Sequence, residues 1–424
     1  MTKQKPSRSK YTVLKQMCNF IPGHLAYNAM RDYGGGKCIA RTFSVWSHVV
    51  AMLYAHLSSA TGLDGLCDAL RLMSGRLGAV RGATPPSRNN LSHCNRERPA
   101  EVVRDVFWRT LEHLRSLNST FAGRAKKGGG LLRRFRLRKV HIIDSTVFEL
   151  TAACMDWAKH RLRKAAAKCH MRLDWRTLLP RFALIDTAKH NDGRRAREMC
   201  AGIRAGEIVV FDKAYIDFVH LHDLFLRGVW WVSRAKDNMA YRVVKRIRGC
   251  KGGIVSDCHI VLSNKDGKRK YPGRMRLVTA LVEVDGREVE MDFLTNNFDW
   301  AASTVADIYK SRWQIEAFFK QLKQTFRLHG FLGTTANAVR WQVWTALLCY
   351  VLMKFLSCAH GWESGFARLA SLIRSALWER LDLALLLKSC GTAGGGEGGP
   401  EPPQQMCLPG IHPVAALHRR KAAT

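Results

Sequence analysis

The stretch Tyr309 to Lys323 reads Tyr-Lys-Ser-Arg-Trp-Gln-Ile-Glu-Ala-Phe-Phe-Lys-Gln-Leu-Lys. It holds neither Gly nor Pro and is rich in good helix formers, so the spacing predicts one continuous helix. At about 100° per residue, Arg312 falls at roughly −60° from Tyr309, Glu316 at roughly −20° and Lys323 at roughly −40°. A phenol, a guanidinium, a carboxylate and an ammonium thus share one narrow stripe. Ile308, Ile315, Phe319, Leu322 and Phe326 lie beside it as a core face. Arg312 and Glu316 alone would be an ordinary i,i+4 surface ion pair. With Tyr309 and Lys323 in register and Trp313 adjacent, the stripe reads as a site at the rim of a buried face.

Two further acids close apolar runs. Val140-His141-Ile142-Ile143 ends on Asp144, followed by Ser145 and Thr146; Glu207-Ile208-Val209-Val210-Phe211 ends on Asp212. Both runs read as buried strands, and the ends of strands face the open rim of an α/β sheet, where chemistry is usually staged. Two strand-end carboxylates and one helical carboxylate are what a two-metal phosphoryl-transfer site requires, with divalent ions about 4 Å apart. Asp144, Asp212 and Glu316 are therefore the candidate catalytic and metal-binding set. Oxygen ligands and a phosphate substrate favour Mg²⁺, with Mn²⁺ a workable substitute. Asp186 also ends an apolar run and is the rival for the second position.

The arrangement Tyr309-x2-Arg312-x3-Glu316-x6-Lys323 resembles the YREK signature of bacterial insertion-sequence DDE transposases of the IS-four type, and the flanks resemble them too. Upstream stands Phe293-Leu294-Thr295-Asn296-Asn297; downstream stand Phe331-Leu332-Gly333-Thr334 and Asn337-Ala338-Val339. Asp212-Lys213-Ala214-Tyr215 is similar to the Asp-Arg/Lys-Gly/Ala-Tyr motif of that family, which Asp186 lacks. The resemblance runs over residues 10–390. It implies an α/β fold with an RNase H-like (retroviral-integrase-like) catalytic core, a β-rich insertion, and an all-α DNA-binding domain in front. It implies that Tyr309, Arg312 and Lys323 hold DNA phosphates, a task suited to a bidentate guanidinium and a point charge. Trp313 would stack on a base or simply pack. Hairpin-forming relatives use an aromatic of the insertion to hold a flipped base; residues 241–295 contain no Trp, which leaves Tyr241, Tyr271 or Phe293 as substitutes.

Charge points the same way. Lys and Arg number 68 against 34 Asp and Glu, a formal +34 with pI near 10.2, so the expected partner is a polyanion, double-stranded DNA first. The 13 cysteines include no Cys-x-x-Cys pair, and Cys250, Cys258 and His259 make a poor metal cluster. Reduced thiols fit a cytoplasmic protein, and the family resemblance implies a bacterial, nucleoid-associated one. The basic N-terminus lacks the apolar run of a signal peptide, and Val343 to Met353 is too short to span a bilayer.

In chain order, residues 1–10 are a basic arm and 11–122 a helical DNA-binding domain, with helices expected at Thr42–Ser58, Leu63–Leu77 and Ala100–Leu117. After Pro85-Pro86, Ser87 is a plausible N-cap for a short helix. That helix presents Arg88, Asn89, Ser92, Asn95 and Arg96, side chains suited to phosphates and base edges in a helix-turn-helix-like unit. A packing domain with a solvated basic face is the alternative. Residues 123–139 form a basic Gly-rich linker in which Arg133 and Arg134 can follow a DNA backbone. Residues 140–240 and 296–390 are the two parts of the core, 241–295 the β-rich insertion, with a hairpin turn at Val284-Asp285-Gly286-Arg287. Residues 391–424 are a disordered tail. The expected activity is binding of terminal inverted repeats, cleavage of the ends and joining of 3′-ends to target DNA, by a homodimer that holds two ends. A non-catalytic DNA-binding descendant and a metal-dependent nuclease without strand transfer are the alternatives.

Overall fold

The computed structural model describes residues 7–34, 42–123, 138–161, 164–187, 192–249, 252–284, 286–328 and 330–390. The linker arginines Arg133 and Arg134, Cys250, Asp285 of the hairpin turn and the tail 391–424 lie outside the described residues. In chain order the helices of the N-terminal part are α1 (Val13–Cys18), α2 (Leu25–Tyr33), α3 (Val45–Ser58), α4 (Leu63–Leu72), α5 (Ser74–Gly78), α6 (Arg88–Glu97) and α7 (Ala100–Leu117). Next come β1 (Val140–Leu150), α8 (Met155–Ala158), β2 (Lys159–Arg161), β3 (Lys164–Asp174), β4 (Pro180–Thr187), α9 (Asp192–Met199), β5 (Ile208–Phe211), α10 (Phe218–Leu226) and β6 (Trp230–Arg234). The insertion holds β7 (Tyr241–Arg246), β8 (Ile254–Leu262), α11 (Lys265–Lys270), β9 (Met275–Val284) and β10 (Arg287–Thr295). The remaining helices are α12 (Ala302–Lys310), α13 (Trp313–Thr325), α14 (Ala336–Ala359), α15 (Phe366–Ala376) and α16 (Leu383–Ser389).

The described residues within 1–128, 145–191 and 318–394 form one compact unit, and those within 129–144 and 192–317 a second. In the first unit the helices start where local chemistry allows. Ser44 and Ser87 accept hydrogen bonds from the N–H groups of Ser47 and Asn90, capping α3 and α6 as short hydroxyl side chains do. The expected helix Leu63–Leu77 is divided at Met73 into α4 and α5. The long α14 packs against α7 and α3, so the N-terminal helices share a core with the C-terminal part of the chain. Asn337 at its start donates to the carbonyls of Asn95 (2.9 Å) and Arg98 (2.7 Å), and Trp341 donates to Arg98 (2.7 Å). By length and composition α14 could cross a membrane, yet 78% of its most apolar window is buried in the fold. Gly333 lies so close to the start of α14 that an added Cβ would stand 2.6 Å from Cβ of Ala338, which accounts for a glycine there. The same unit contains a β element missing from the sequence expectation: β3 pairs antiparallel with β2 and β4.

The second unit carries the sheet that stages the candidate site. Val140–Ile143 of β1 run parallel to Ile208–Phe211 of β5, and β5 runs parallel to β6. All four β5 residues are buried, consistent with a central strand whose unbroken apolar run is covered on both faces. Beyond β6 the sheet turns antiparallel through β10, β9, β8 and β7. The turn expected near residue 286 is present: Val284 pairs with Arg287, and Gly286 has φ of 73°, a left-handed conformation that glycine adopts without strain.

The upstream flank Phe293-Leu294-Thr295-Asn296-Asn297 has a structural task. Thr295 donates to the Trp231 carbonyl (2.7 Å); Asn296 accepts from the Trp231 N–H (2.9 Å) and donates to the Val229 carbonyl (2.8 Å). These side chains extend the backbone pairing of β6 past the end of β10. Asn297 then caps the next turn by accepting from the N–H groups of Asp299 (3.0 Å) and Trp300 (2.9 Å).

Candidate active site

Asp144 and Asp212 are brought together by register. Ile143 is opposite Phe211 in the parallel pair, so the next residue on each strand is an acid, on strands about 4.8 Å apart. Asp212 directly follows β5, as expected. Asp144 does not end its strand, because β1 continues to Leu150. It marks instead the point at which β1 parts from β5. Asp212 precedes a short 3₁₀ turn, Lys213–Tyr215, without capping it, which leaves the carboxylate available.

Tyr309, Arg312 and Glu316 approach these acids from α12 and α13, and here the expected single helix is corrected. It breaks at Ser311 and Arg312. The N–H groups of Arg312, Gln314 and Ile315 bond to carbonyls three residues back (Tyr309, Ser311 and Arg312), the tighter 3₁₀ pattern. The Ser311 hydroxyl also donates to the Ile308 carbonyl (2.5 Å), a local competitor of regular helix.

At this joint Arg312 is 8% exposed and reaches two acids at once. Its Nη1 donates to Oδ2 of Asp144 (2.8 Å) and its Nη2 to Oε1 of Glu316 (2.6 Å). The Tyr309 hydroxyl donates to Oδ1 of Asp212 (3.2 Å). The Tyr309 ring packs on Phe293, with centroids 4.8 Å apart, and the guanidinium carbon lies 5.5 Å from the tyrosine centroid. Burial pushes the Tyr309 hydroxyl up to about 12, so it stays a proton donor; Arg312 opposes the shift and Asp212 adds to it. Burial works against the Arg312 charge, but Tyr309, Asp144, Glu316 and Asp212 outweigh it and raise its pKa further.

The donor set fits a hard divalent cation in kind: carboxylate oxygens only, two of them facing one position that a cationic group already takes. Among the described residues, no three His, Cys, Asp or Glu side chains converge closely enough to hold a metal ion. The guanidinium stands between two of the acids.

The other expected residues fall in different places. Lys323 belongs to the first unit, where its ammonium lies 5.6 Å from the Phe148 ring centroid; burial depresses its pKa, opposed by Glu149 and Cys169. Trp313, the first residue of α13, is half-buried. Asp186 also lies in the first unit, within β4, where its carboxylate accepts from the Thr187 N–H (2.8 Å). On α6, Arg88, Asn89, Ser92 and Arg96 are exposed, with Arg88 paired to Asp64 (3.0 Å) and Arg96 to Glu97 (2.7 Å). Asn95 is corrected: it is 2% exposed and bonded to His48 (2.9 Å), so its side chain belongs to the core. One turn of helix separates the exposed Ser92 from the buried Asn95, a phase that composition does not reveal.

Of the aromatics that might hold a base, Phe293 and Tyr271 are each 1% exposed, the first against Tyr309 and the second against Trp231. Tyr241 is exposed. The supporting role of Phe293 beneath Tyr309 was not legible, although its place in the upstream flank was a signal. The ten described cysteines form no disulfide with one another.

Residues 136–352 match the family described as Transposase DDE domain, and residues 9–80 match a domain of unknown function (DUF4372). "Putative transposase y4zB" of Sinorhizobium fredii is 29% identical over 306 residues, covering 71% of this chain and 80% of that protein. "Probable transposase for insertion sequence element IS5377" of Geobacillus stearothermophilus is 28% identical over 228 residues, covering 52% of this chain and 57% of that protein. A chain of the piggyBac transposase synaptic complex with hairpin DNA aligns with a TM-score of 0.43 and 9% identity, covering 88% of this chain and 82% of that one. The DDE match takes in Asp144, Asp212 and Glu316 and spans half of the chain, which therefore belongs to the DDE transposase family of insertion sequences, enzymes that cleave and transfer DNA strands.

Proposed function

We propose that this transposase binds the terminal inverted repeats of its own element, cleaves the DNA ends and joins the 3′-ends to target DNA, with Asp144, Asp212 and Glu316 as its metal-binding acids. The observation that carries the reading is the gathering of those acids around Arg312 and Tyr309 within an RNase H-like arrangement of parallel strands. Mg²⁺ bound there, or Mn²⁺ in its place, supplies Lewis-acid activation of the attacking oxygen and stabilisation of the leaving one.

The protein's own groups do the rest. Asp144 lies on β1 and Asp212 directly follows the buried β5, so the sheet positions both carboxylates. Tyr309 holds Asp212 in orientation through its hydroxyl, and Phe293 holds Tyr309 in place. Arg312 can turn its two donors to a DNA phosphate, and Lys323 and Trp313 are further candidates for DNA contact. Arg88, Asn89, Ser92 and Arg96 form the exposed face of α6, the proposed end-recognition surface of the helical region 11–122; Asn95 has no part in it. Arg133 and Arg134 belong to the proposed basic linker 123–139. A homodimer would hold the two element ends together.

The test is cleavage of labelled DNA carrying the element's own inverted-repeat end, with Mg²⁺, by the wild type and by Glu316→Gln. Cutting at the repeat boundary by the wild type and loss of it in the variant is the expected result. Cutting that survives in the variant would remove Glu316 from the acid set. Joined products with a target duplex would separate a transposase from a nuclease without strand transfer.

A further inference from the structure

We propose that Arg312 is an internal counter-ion that occupies the acid set in the DNA-free protein, so that metal loading and phosphate binding are coupled through this one side chain. The inference rests on the reading of Asp144, Asp212 and Glu316 as metal ligands.

Three observations support it. The guanidinium bridges Asp144 (2.8 Å) and Glu316 (2.6 Å), one donor nitrogen to each acid. Arg312 is 8% exposed, so its charge is met by these protein groups rather than by bulk water. The residue sits on the 3₁₀ joint between α12 and α13, a turn held by i→i−3 bonds on either side.

The electrostatics are then simple. Two carboxylates within hydrogen-bond reach of one guanidinium have their mutual repulsion cancelled. A divalent ion entering the same space would meet a positive charge only a few ångströms away, on a guanidinium that is itself largely buried. Both cations cannot be held there. Arg312 is always charged and cannot leave by deprotonation, so it must move and find new acceptors. A DNA phosphate offers two acceptor oxygens to the two donors that Arg312 now divides between separate carboxylates. Phosphate binding therefore frees Asp144 and Glu316 for the metal, and metal binding in turn frees Arg312 for phosphate, a reciprocal coupling by thermodynamic necessity. A chain of formal charge +34 will meet much DNA that is not its own element. An acid set that loads only when phosphate reaches Arg312 would stay unloaded until a DNA backbone is seated at the site.

The experiment is Mn²⁺ titration of the full chain, followed by the electron paramagnetic resonance of free Mn²⁺, with and without a duplex of the element's terminal repeat. Without DNA, Arg312→Gln is expected to bind Mn²⁺ about tenfold or more tighter than wild type, and Asp144→Asn added to it should abolish the gain. The duplex should tighten Mn²⁺ binding by a similar factor in wild type and by far less in Arg312→Gln. Arg312→Lys, which reaches one carboxylate at a time, should fall between them and serves if the glutamine variant does not fold. If Arg312→Gln and Arg312→Lys bind Mn²⁺ no tighter than wild type, or the duplex tightens all three equally, while Asp144→Asn still abolishes binding, the counter-ion role is wrong and the metal site stands. If Mn²⁺ binding ignores Asp144→Asn and Glu316→Gln in every background, the metal-ligand reading itself fails.

Discussion

Asp257→Ala should destabilise the second unit more than almost any surface change, and the structure says by how much. Asp257 on β8 and Arg276 on β9 are 4% and 3% exposed and joined by two parallel bonds, Nε to Oδ1 (2.8 Å) and Nη2 to Oδ2 (2.7 Å). The remaining nitrogen, Nη1, donates to the carbonyls of Trp300 (2.6 Å) and Asn297 (3.4 Å). Arg276 thus fastens the β insertion to the loop that leads into α12, and α12 carries Tyr309. Removing the carboxylate strands a buried guanidinium with two carbonyls for company, which costs about 3–5 kcal/mol. The paired replacement Asp257→Leu with Arg276→Met removes both charges and should recover most of that loss, because the desolvation of two ions disappears with them. Urea denaturation of wild type, Asp257→Leu, Arg276→Met and the double variant, with hydrogen exchange of the β8 and β9 amides as the local probe, measures the coupling directly. A single-variant loss below about 1 kcal/mol, or a double variant less stable than either single one, would refute the reasoning.

Two other outcomes follow from the site and its surroundings. Tyr309→Phe keeps the ring on Phe293 but removes the hydroxyl bonded to Asp212, so stability should fall by only about 0.5–1.5 kcal/mol while repeat-end cleavage falls more steeply; parallel melting and cleavage assays check it. Asp174 is buried, which alone would raise its pKa, but Arg181 (2.6 Å) and the N–H groups of Thr177 and Arg176 hold it below its ordinary value of 3.8. A depressed folded pKa contributes stability that is present above the unfolded value and lost as pH falls through the folded one. The gap in melting temperature between wild type and Asp174→Asn should therefore be constant above about pH 5 and close as pH drops below about 4.

Much of this protein was legible because its elements are governed by near neighbours along the chain. Ala100–Leu117 has the bounds that its periodicity predicts, Ser87 caps the helix that follows Pro85-Pro86, and Gly286 turns the hairpin. The apolar run before Asp212 needed only its own composition to be a buried strand, and the spaced Tyr, Arg, Glu and Lys with their flanks pointed to the family.

Tertiary structure alone decided the rest. The segment Lys164–Asp174, rich in Ala and Lys, carries no strand pattern; it is a strand because β2 and β4 pair with it, and long-range hydrogen bonding overrides weak local preference. Asn95 looks like its exposed neighbours until His48 is packed beside it. The helix carrying the signature looked unbroken because nothing in Tyr309–Lys323 forbids a helix. Its break at Ser311 and Arg312 accompanies a bond to Asp144, 168 residues away in sequence. Sequence determined which residues are the candidates for the chemistry, since charge, hydroxyl and spacing are properties of the chain. Where each charge rests before DNA arrives depends on contacts between distant segments, and no local pattern encodes them.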